Sequence, residues 1–467
     1  MTAASTDSTD SRDRRKLTQL PAIALVVGSM LGIGIFIMPP QVAANVAGPW
    51  SFLAMWIVGG LAALFGALCL AELGAMRPRS GGDYEFLHIG WGPGIAFAAG
   101  WLQLLVIFPG SLASVAVATA KFQFPVLLGS WAGGDVALLG LTIPAPRLTA
   151  AALVLVLTLI NHYGVRIAGW LQVLVTVVPI LVLLIVSVYV LGDSAGGETL
   201  REGTTATPKG DGGGGISALG QAYLKVYFAY SGWNAALYVA GEIDHPGRNI
   251  PRALVGGTGL VTGLYVLLCL GFLSVFGFAG LPGVGEAGTA AAVQLFGPAA
   301  VTGMAVLILL AMIGSLNGTT LIGSRIAFAM ARRGDCVEAA GRVHPRHGTP
   351  HVALWLQAAI ALALIFSPFN LDQMINYTSS AMLITGTLTV LSVVVLRRKM
   401  PNAPRPYKTT MYPLPAVGYA LSSLVVLVLV VLDRDPSVLV AVAWFAAALV
   451  FWRLFVKHRE HEPPPIM

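Results

Sequence analysis

Apolar runs of bilayer-crossing length recur along this chain almost without pause, and they leave it few ways to fold. Hydrocarbon offers no hydrogen-bond partners to a backbone, so only helices or closed barrels can cross it, and about 17 to 25 apolar residues are needed per helix. We read twelve such segments, at 19–46, 50–76, 92–120, 148–164, 167–192, 217–241, 252–278, 295–331, 351–367, 371–396, 412–432 and 436–457. The ninth is the shortest. With 56% hydrophobic residues, 10% charged and a mean hydropathy of +0.78 over 467 residues, the composition is that of an all-α polytopic membrane protein.

What lies between the runs fixes their orientation. If the N-terminus is inside, the inside segments hold 21 Lys and Arg, including Arg332, Arg333 and Arg397 to Lys399, and the outside loops hold five, Lys121, Arg147, Arg201, Lys209 and Arg434. That asymmetry follows the positive-inside rule, so the net charge of +7 reports topology and not a nucleic-acid partner. Both termini are expected in the cytoplasm and the protein in the cell membrane. The polar stretch 1–18 reads as a disordered tail, and the apolar run after it is too long for the core of a cleaved signal peptide. Cys69, Cys269 and Cys336 fall in segments or at a segment end, which argues against a structural disulfide.

The segments divide around a glycine-rich outside loop, 193–216. Residues 19–192 hold five segments and 217–396 hold five more, so the halves run in opposite directions through the bilayer; 397–457 adds two, and 458–467 is a cytoplasmic tail. Each half opens with a segment that glycine interrupts. Gly28, Gly32 and Gly34 puncture the first, and Gly232 sits in Phe228-Ala-Tyr-Ser-Gly-Trp-Asn234 in the sixth. Glycine costs a helix about 1 kcal/mol relative to alanine, and interrupted helices at corresponding places in two halves point to a transporter's binding site.

An unwound turn between Gly28 and Gly34 would leave N–H groups at the start of a half-helix, where an anion such as a carboxylate is favoured. Carbonyls on the preceding half-helix would accept from an ammonium, so a zwitterionic amino acid suits both ends. Gly28 and Gly32 also have the spacing of close helix packing, and this segment alone does not choose between the two. The second break does, because Tyr230 and Trp233 lie too deep for an interfacial belt and, with Asn234, are poor material for a lipid face or close packing but suit a gated cavity.

Charges inside the segments are few. Glu72 and Arg325 lie near inside ends, where snorkelling or a mutual pair would satisfy them, and Lys225 either lines the outer vestibule or snorkels outward. The loop 331–350 is expected to hold a short surface helix that either makes a gating contact or, the favoured reading, anchors lipid headgroups. The eight histidines show no metal-ligand spacing, no cofactor or metal site is evident, and there is no phosphate-binding motif to supply an ATP engine. No acid, base and nucleophile set converges, which argues against an enzyme.

Several strings in the right order resemble one family: Gly66 to Gly74 around Glu72, Ser80-Gly-Gly-Asp-Tyr84, the string 228–234, Ser324-Arg325, Val343 to Arg346, and Thr349-Pro350. Over about residues 20 to 400 the chain resembles the L-type amino acid transporters of the amino acid, polyamine and organocation (APC) superfamily. The resemblance implies a LeuT fold, a five-plus-five inverted repeat whose first and sixth helices unwind at the substrate, with alternating access.

By position it implies that Met30, Gly32, Ile33 and Gly34 meet the substrate's backbone groups, with the amides of Gly32 to Gly34 on the carboxylate. Phe228 would be the gate, Ala229 and Ser231 would offer carbonyls to the amine, and Gly232, Trp233 and Asn234 would shape the pocket, with Gly110 and Thr319 beside it. Pro179 stands where many relatives carry a lysine, which leaves the coupling mechanism open. The loop 121–147 lacks the cysteine through which animal members join a heavy chain, so no disulfide-linked partner is expected. With no carboxylate in either break, and Asn234 where some exchangers carry one, the reading is a sodium-independent exchanger of neutral L-amino acids. A proton-coupled or cationic amino acid or polyamine carrier is the nearest alternative, and a receptor or channel the more distant one.

Overall fold

The computed structural model describes residues 17–79, 81–138, 141–192 and 216–457. The first apolar run forms α1 (Gln19–Met30) and α2 (Gly34–Ala44), followed by α3 (Pro49–Met76). The stretch read as a loop after α3 is instead largely helical, α4 (Asp83–Trp91). Then come α5 (Pro93–Leu102), a π-helical turn over Gln103–Ile107, α6 (Phe108–Phe122) and the short α7 (Phe124–Leu128). A two-stranded antiparallel hairpin, β1 (Asp135–Leu138) with β2 (Leu141–Pro144), leads into α8 (Ala145–Tyr163) and α9 (Val165–Gly192).

The sixth run is α10 (Ile216–Ala229) and α11 (Ala235–Tyr238), separated by a non-helical stretch. Beyond it lie α12 (Pro246–Pro251), α13 (Gly257–Gly280), α14 (Ala287–Phe296), α15 (Ala300–Ala331), α16 (His351–Ile365), α17 (Leu371–Lys399), α18 (Leu414–Leu432) and α19 (Pro436–Phe451). The dividing loop 193–216 and both tails fall almost wholly outside the described residues.

Among the described residues, ten spans are long and apolar enough to cross a membrane. The two expected segments that fall short do so for different reasons. The sixth is cut by its break into 14 and 4 residues, and the ninth, α16, has 15. The loop before α16 holds one 3-10 turn, Glu338–Gly341, in place of the expected surface helix.

Burial grades the helices around a centre. Of the most apolar window in the first span, Gln19–Ala44, and in the third, Pro93–Phe122, 83% is buried, against 11% in Pro436–Val456. The outer helices turn apolar side chains such as Leu421, Leu424, Leu439 and Val450 outward, as a surface facing lipid requires.

Glu72, Arg325 and Lys225 are each paired, though not as a mutual couple of Glu72 with Arg325. Glu72 accepts from Arg397 Nη2 at 2.6 Å, Arg405 Nε at 3.1 Å and the Thr409 N–H at 2.7 Å, which ties α3 to the end of α17. Arg325 reaches Glu242 at 3.1 Å and donates to the Leu321 carbonyl at 2.6 Å. Lys225 is buried and meets the exposed Asp372 at 3.2 Å. All three therefore hold helices together. The three cysteines are free thiols.

Candidate functional site: a cavity between two helix breaks

The first break is an inverse γ-turn. Leu31 leaves the helix at φ −75° and ψ 77°, and the Gly32 N–H donates back to the Met30 carbonyl at 2.8 Å. Ile33 then restarts the helix, and the carbonyls of Val27 and Ile33 are taken by Leu31 and by Phe36 and Ile37. The Ile33 N–H finds no acceptor among the described residues. It stands at the positive end of α2, so it is a donor waiting for an anion.

The second break is built differently. Tyr230 and Ser231 still donate to Val226 and Phe228, but Gly232 turns to φ 97°, a conformation that side chains disfavour, and its carbonyl accepts from the Ala235 N–H at 3.0 Å. The Ser231 carbonyl receives no backbone donor among the described residues.

The two breaks touch. A Cβ at Gly34 would fall inside contact distance of Ala229 Cα, and one at Gly232 would lie 2.8 Å from the Ser29 carbonyl carbon and oxygen. One side chain on α13 holds both: the Tyr265 hydroxyl reaches the Met30 carbonyl at 2.6 Å and the Ala229 carbonyl at 3.2 Å. A single tyrosine in an apolar run carries no periodic signal, which is why Tyr265 is not among the residues expected from sequence.

Between the breaks lies a cavity. Met30, Gly32, Ile33, Gly34, Phe228, Ala229, Ser231, Gly232, Trp233, Asn234 and Thr319 all border it. Gly110 does not. It faces the other way, against Thr378 of α17, while Ile107, Phe108, Ser111 and Val115 present the cavity face of the same helix. Gly28 also stands aside, packed against Gln172 and Thr176 of α9. Trp233 borders the cavity with its ring wedged onto Gly66 and 5.8 Å from that of Tyr419.

The lining is polar where it is unoccupied. Ser29 Oγ, Gln103 Oε1 and Ser111 Oγ are buried without a hydrogen-bond partner, and all three residues border the cavity. Buried polar groups cost free energy unless paired, so this lining suits a polar ligand or water.

A carboxylate is present too. Asp83, 3% exposed at the start of α4, borders the cavity and accepts from Gln103 Nε2 at 3.3 Å and Asn234 Nδ2 at 3.4 Å. Behind the first break, Gln172, Asn317 and Asn161 form a chain of neutral amides, with bonds of 2.8 and 2.9 Å.

A polytopic helical membrane protein with a polar cavity between two interrupted helices is built as a carrier of small molecules. The chain belongs to the amino acid permease family, whose model matches residues 17–454. It is 27% identical over 463 residues to the b(0,+)-type amino acid transporter 1 of Mus musculus, covering 97% of this chain and 91% of that one. It is 28% identical over 409 residues to the serine/threonine exchanger SteT of Bacillus subtilis (strain 168), covering 86% and 88%. It is also 30% identical over 395 residues to the large neutral amino acids transporter small subunit 2 of Homo sapiens, covering 85% and 72%. These relatives are transporters, not enzymes.

Proposed function

We propose that this protein exchanges neutral L-amino acids across the cell membrane by alternating access, without sodium and without a disulfide-linked heavy chain. The fold we assign to it is the twelve-helix, five-plus-five inverted repeat, with both termini cytoplasmic. One observation carries the reading: the unpaired Ile33 N–H and the unpaired Ser231 carbonyl flank one cavity, a donor for a carboxylate and an acceptor for an ammonium. The Gly32 N–H is already bonded to Met30, so the free amides of the carboxylate site begin at Ile33. Phe228, buried at the cavity wall, is the gate. The neutral amides behind the first break offer no negative charge to hold sodium.

Proteoliposomes loaded with serine, leucine or buffer, and presented with the labelled amino acid outside, test the proposal. Uptake that rises several-fold with internal amino acid and ignores sodium is expected; uptake indifferent to internal content would end the exchange reading.

Asp83 favours one further reading, a carrier that also takes a cationic side chain, since a carboxylate in the wall can face an ammonium or guanidinium. Arginine competing with leucine in the wild type but not in Asp83→Asn is the expected result under that reading. Absence of competition in both leaves the substrate class neutral.

A further inference from the structure

Four histidines, three of them closely spaced in the chain and one remote, come together in space. His344, His347 and His351 lie in the loop after α15 and at the first residue of α16, and His162 lies in the last turn of α8. Their rings form a compact group. Centroids are 4.4 Å apart for His344 and His347, 5.2 Å for His162 and His344, 5.3 Å for His344 and His351, and 5.8 Å for His162 and His347. One ring nitrogen from each of His162, His344 and His347 lies within 4.8 Å of the other two.

The backbone under the group is fixed. Thr349 Oγ1 donates to the His162 carbonyl at 2.9 Å, and the His344 N–H donates to the Thr349 carbonyl at 2.8 Å. Gly348, at φ 67°, closes the turn onto the His344 carbonyl at 2.9 Å. The loop is therefore held against α8 with its imidazoles already gathered.

Four imidazoles without a shared role are costly neighbours, and one of them is visibly unsatisfied: His351 Nδ1 is buried with no hydrogen-bond partner. His344 Nδ1 accepts from the Arg346 and His347 N–H groups at 3.2 Å, and His162 Nδ1 from Trp355 Nε1 at 3.3 Å. These contacts are long and weak beside a metal–imidazole bond. Small turns of the two rings would give them up and draw nitrogens 4.8 Å apart toward one centre.

We propose that His162, His344, His347 and His351 form a binding site for a divalent transition metal of the zinc class, three or four imidazoles suiting that class over magnesium or calcium. The bound ion would pin the loop between α15 and α16 to the end of α8. The site is remote in sequence and chemistry from the cavity, so the proposal stands whether or not the assigned substrate is right.

The full chain, purified without a histidine tag, can be titrated with Zn2+ by calorimetry and with Co2+ by absorption spectroscopy. One ion per chain is expected, with the intense visible bands of tetrahedral Co2+ bleached by Zn2+. His162→Ala and His347→Ala should each weaken binding by roughly tenfold or more. His245→Gln, outside the group, should leave it unchanged. No saturable binding, an octahedral Co2+ spectrum, or equal affinity in all variants would overturn the site. If the variants misfold, diethyl pyrocarbonate labelling of the wild type gives the same answer: Zn2+ should protect these four histidines and not His245, and equal labelling with and without Zn2+ rejects the proposal.

Discussion

The two helix breaks face one cavity, yet glycine does a different job in each. At the first, the residue that leaves the helix is Leu31, in an inverse γ-turn open to any L-residue, and Gly32 and Gly34 serve approach: their missing Cβ atoms make room for Ser315 and Ala229. At the second, Gly232 serves conformation, since its φ of 97° is the turn itself. Close packing and helix opening, which the sequence poses as rivals at the first break, are therefore both present. The opening exposes the amide, and the packing sets the second break against it.

That contrast predicts the largest effect at Gly34. Gly34→Leu drives a side chain into the backbone of Ala229, which cannot yield without moving the second break. Uptake in proteoliposomes should fall about 100-fold or more, equivalent to roughly 3 kcal/mol, with the chain still eluting as a folded species. Near-normal uptake by Gly34→Leu would separate the breaks from the site.

Next come paired alanine substitutions, which tell approach from conformation. Gly232→Ala forces a positive φ that costs about 1–2 kcal/mol and meets the Ser29 backbone, so about tenfold loss is expected with no rescue by shortening a side chain. Gly32→Ala meets only Ser315 Oγ and Cβ, at 2.7 and 2.9 Å. A smaller loss is expected, and Ser315→Gly should restore it. Rescue of neither, or of both, would erase the distinction.

Tyr265 joins the two halves of the comparison. Tyr265→Phe strips a donor from both carbonyls; that of Met30 keeps the Gly32 N–H, while that of Ala229 is left unpaired, and a buried group left so costs about 1–3 kcal/mol. The apparent melting temperature should drop by a few degrees, and KM should rise more than Vmax falls, because ligand must then order both breaks itself. An unchanged KM would mean that the breaks hold their shape without it.

The breaks were legible because glycine and aromatic residues are rare company in an apolar run. Other parts were hidden for reasons that can be named. Asp83 stands in the string 80–84, which marked the family, but the segment around it reads as a polar loop, and only the fold turns the start of α4 into the cavity. Gly110 differs for another reason: the resemblance placed it beside the pocket by position, and only helical phase shows that Ser111 and Phe108 are the residues on the cavity side. The histidines were hidden only in part: His344, His347 and His351 follow one another at spacings of three and four residues, which suit metal ligands, whereas His162 lies some 180 residues away and only the fold brings it in.

Ser231→Ala should have the smallest effect, and it tests how the second break reads its ligand. Ser231 borders the cavity; its hydroxyl forms no hydrogen bond to described residues, and its carbonyl has no backbone donor among them. If recognition is by backbone, removing the hydroxyl should change KM less than about twofold, within about 0.4 kcal/mol. A tenfold rise would mean that side chains read the substrate at the second break while main-chain amides read it at the first, and the two breaks would then differ in chemistry as well as in construction.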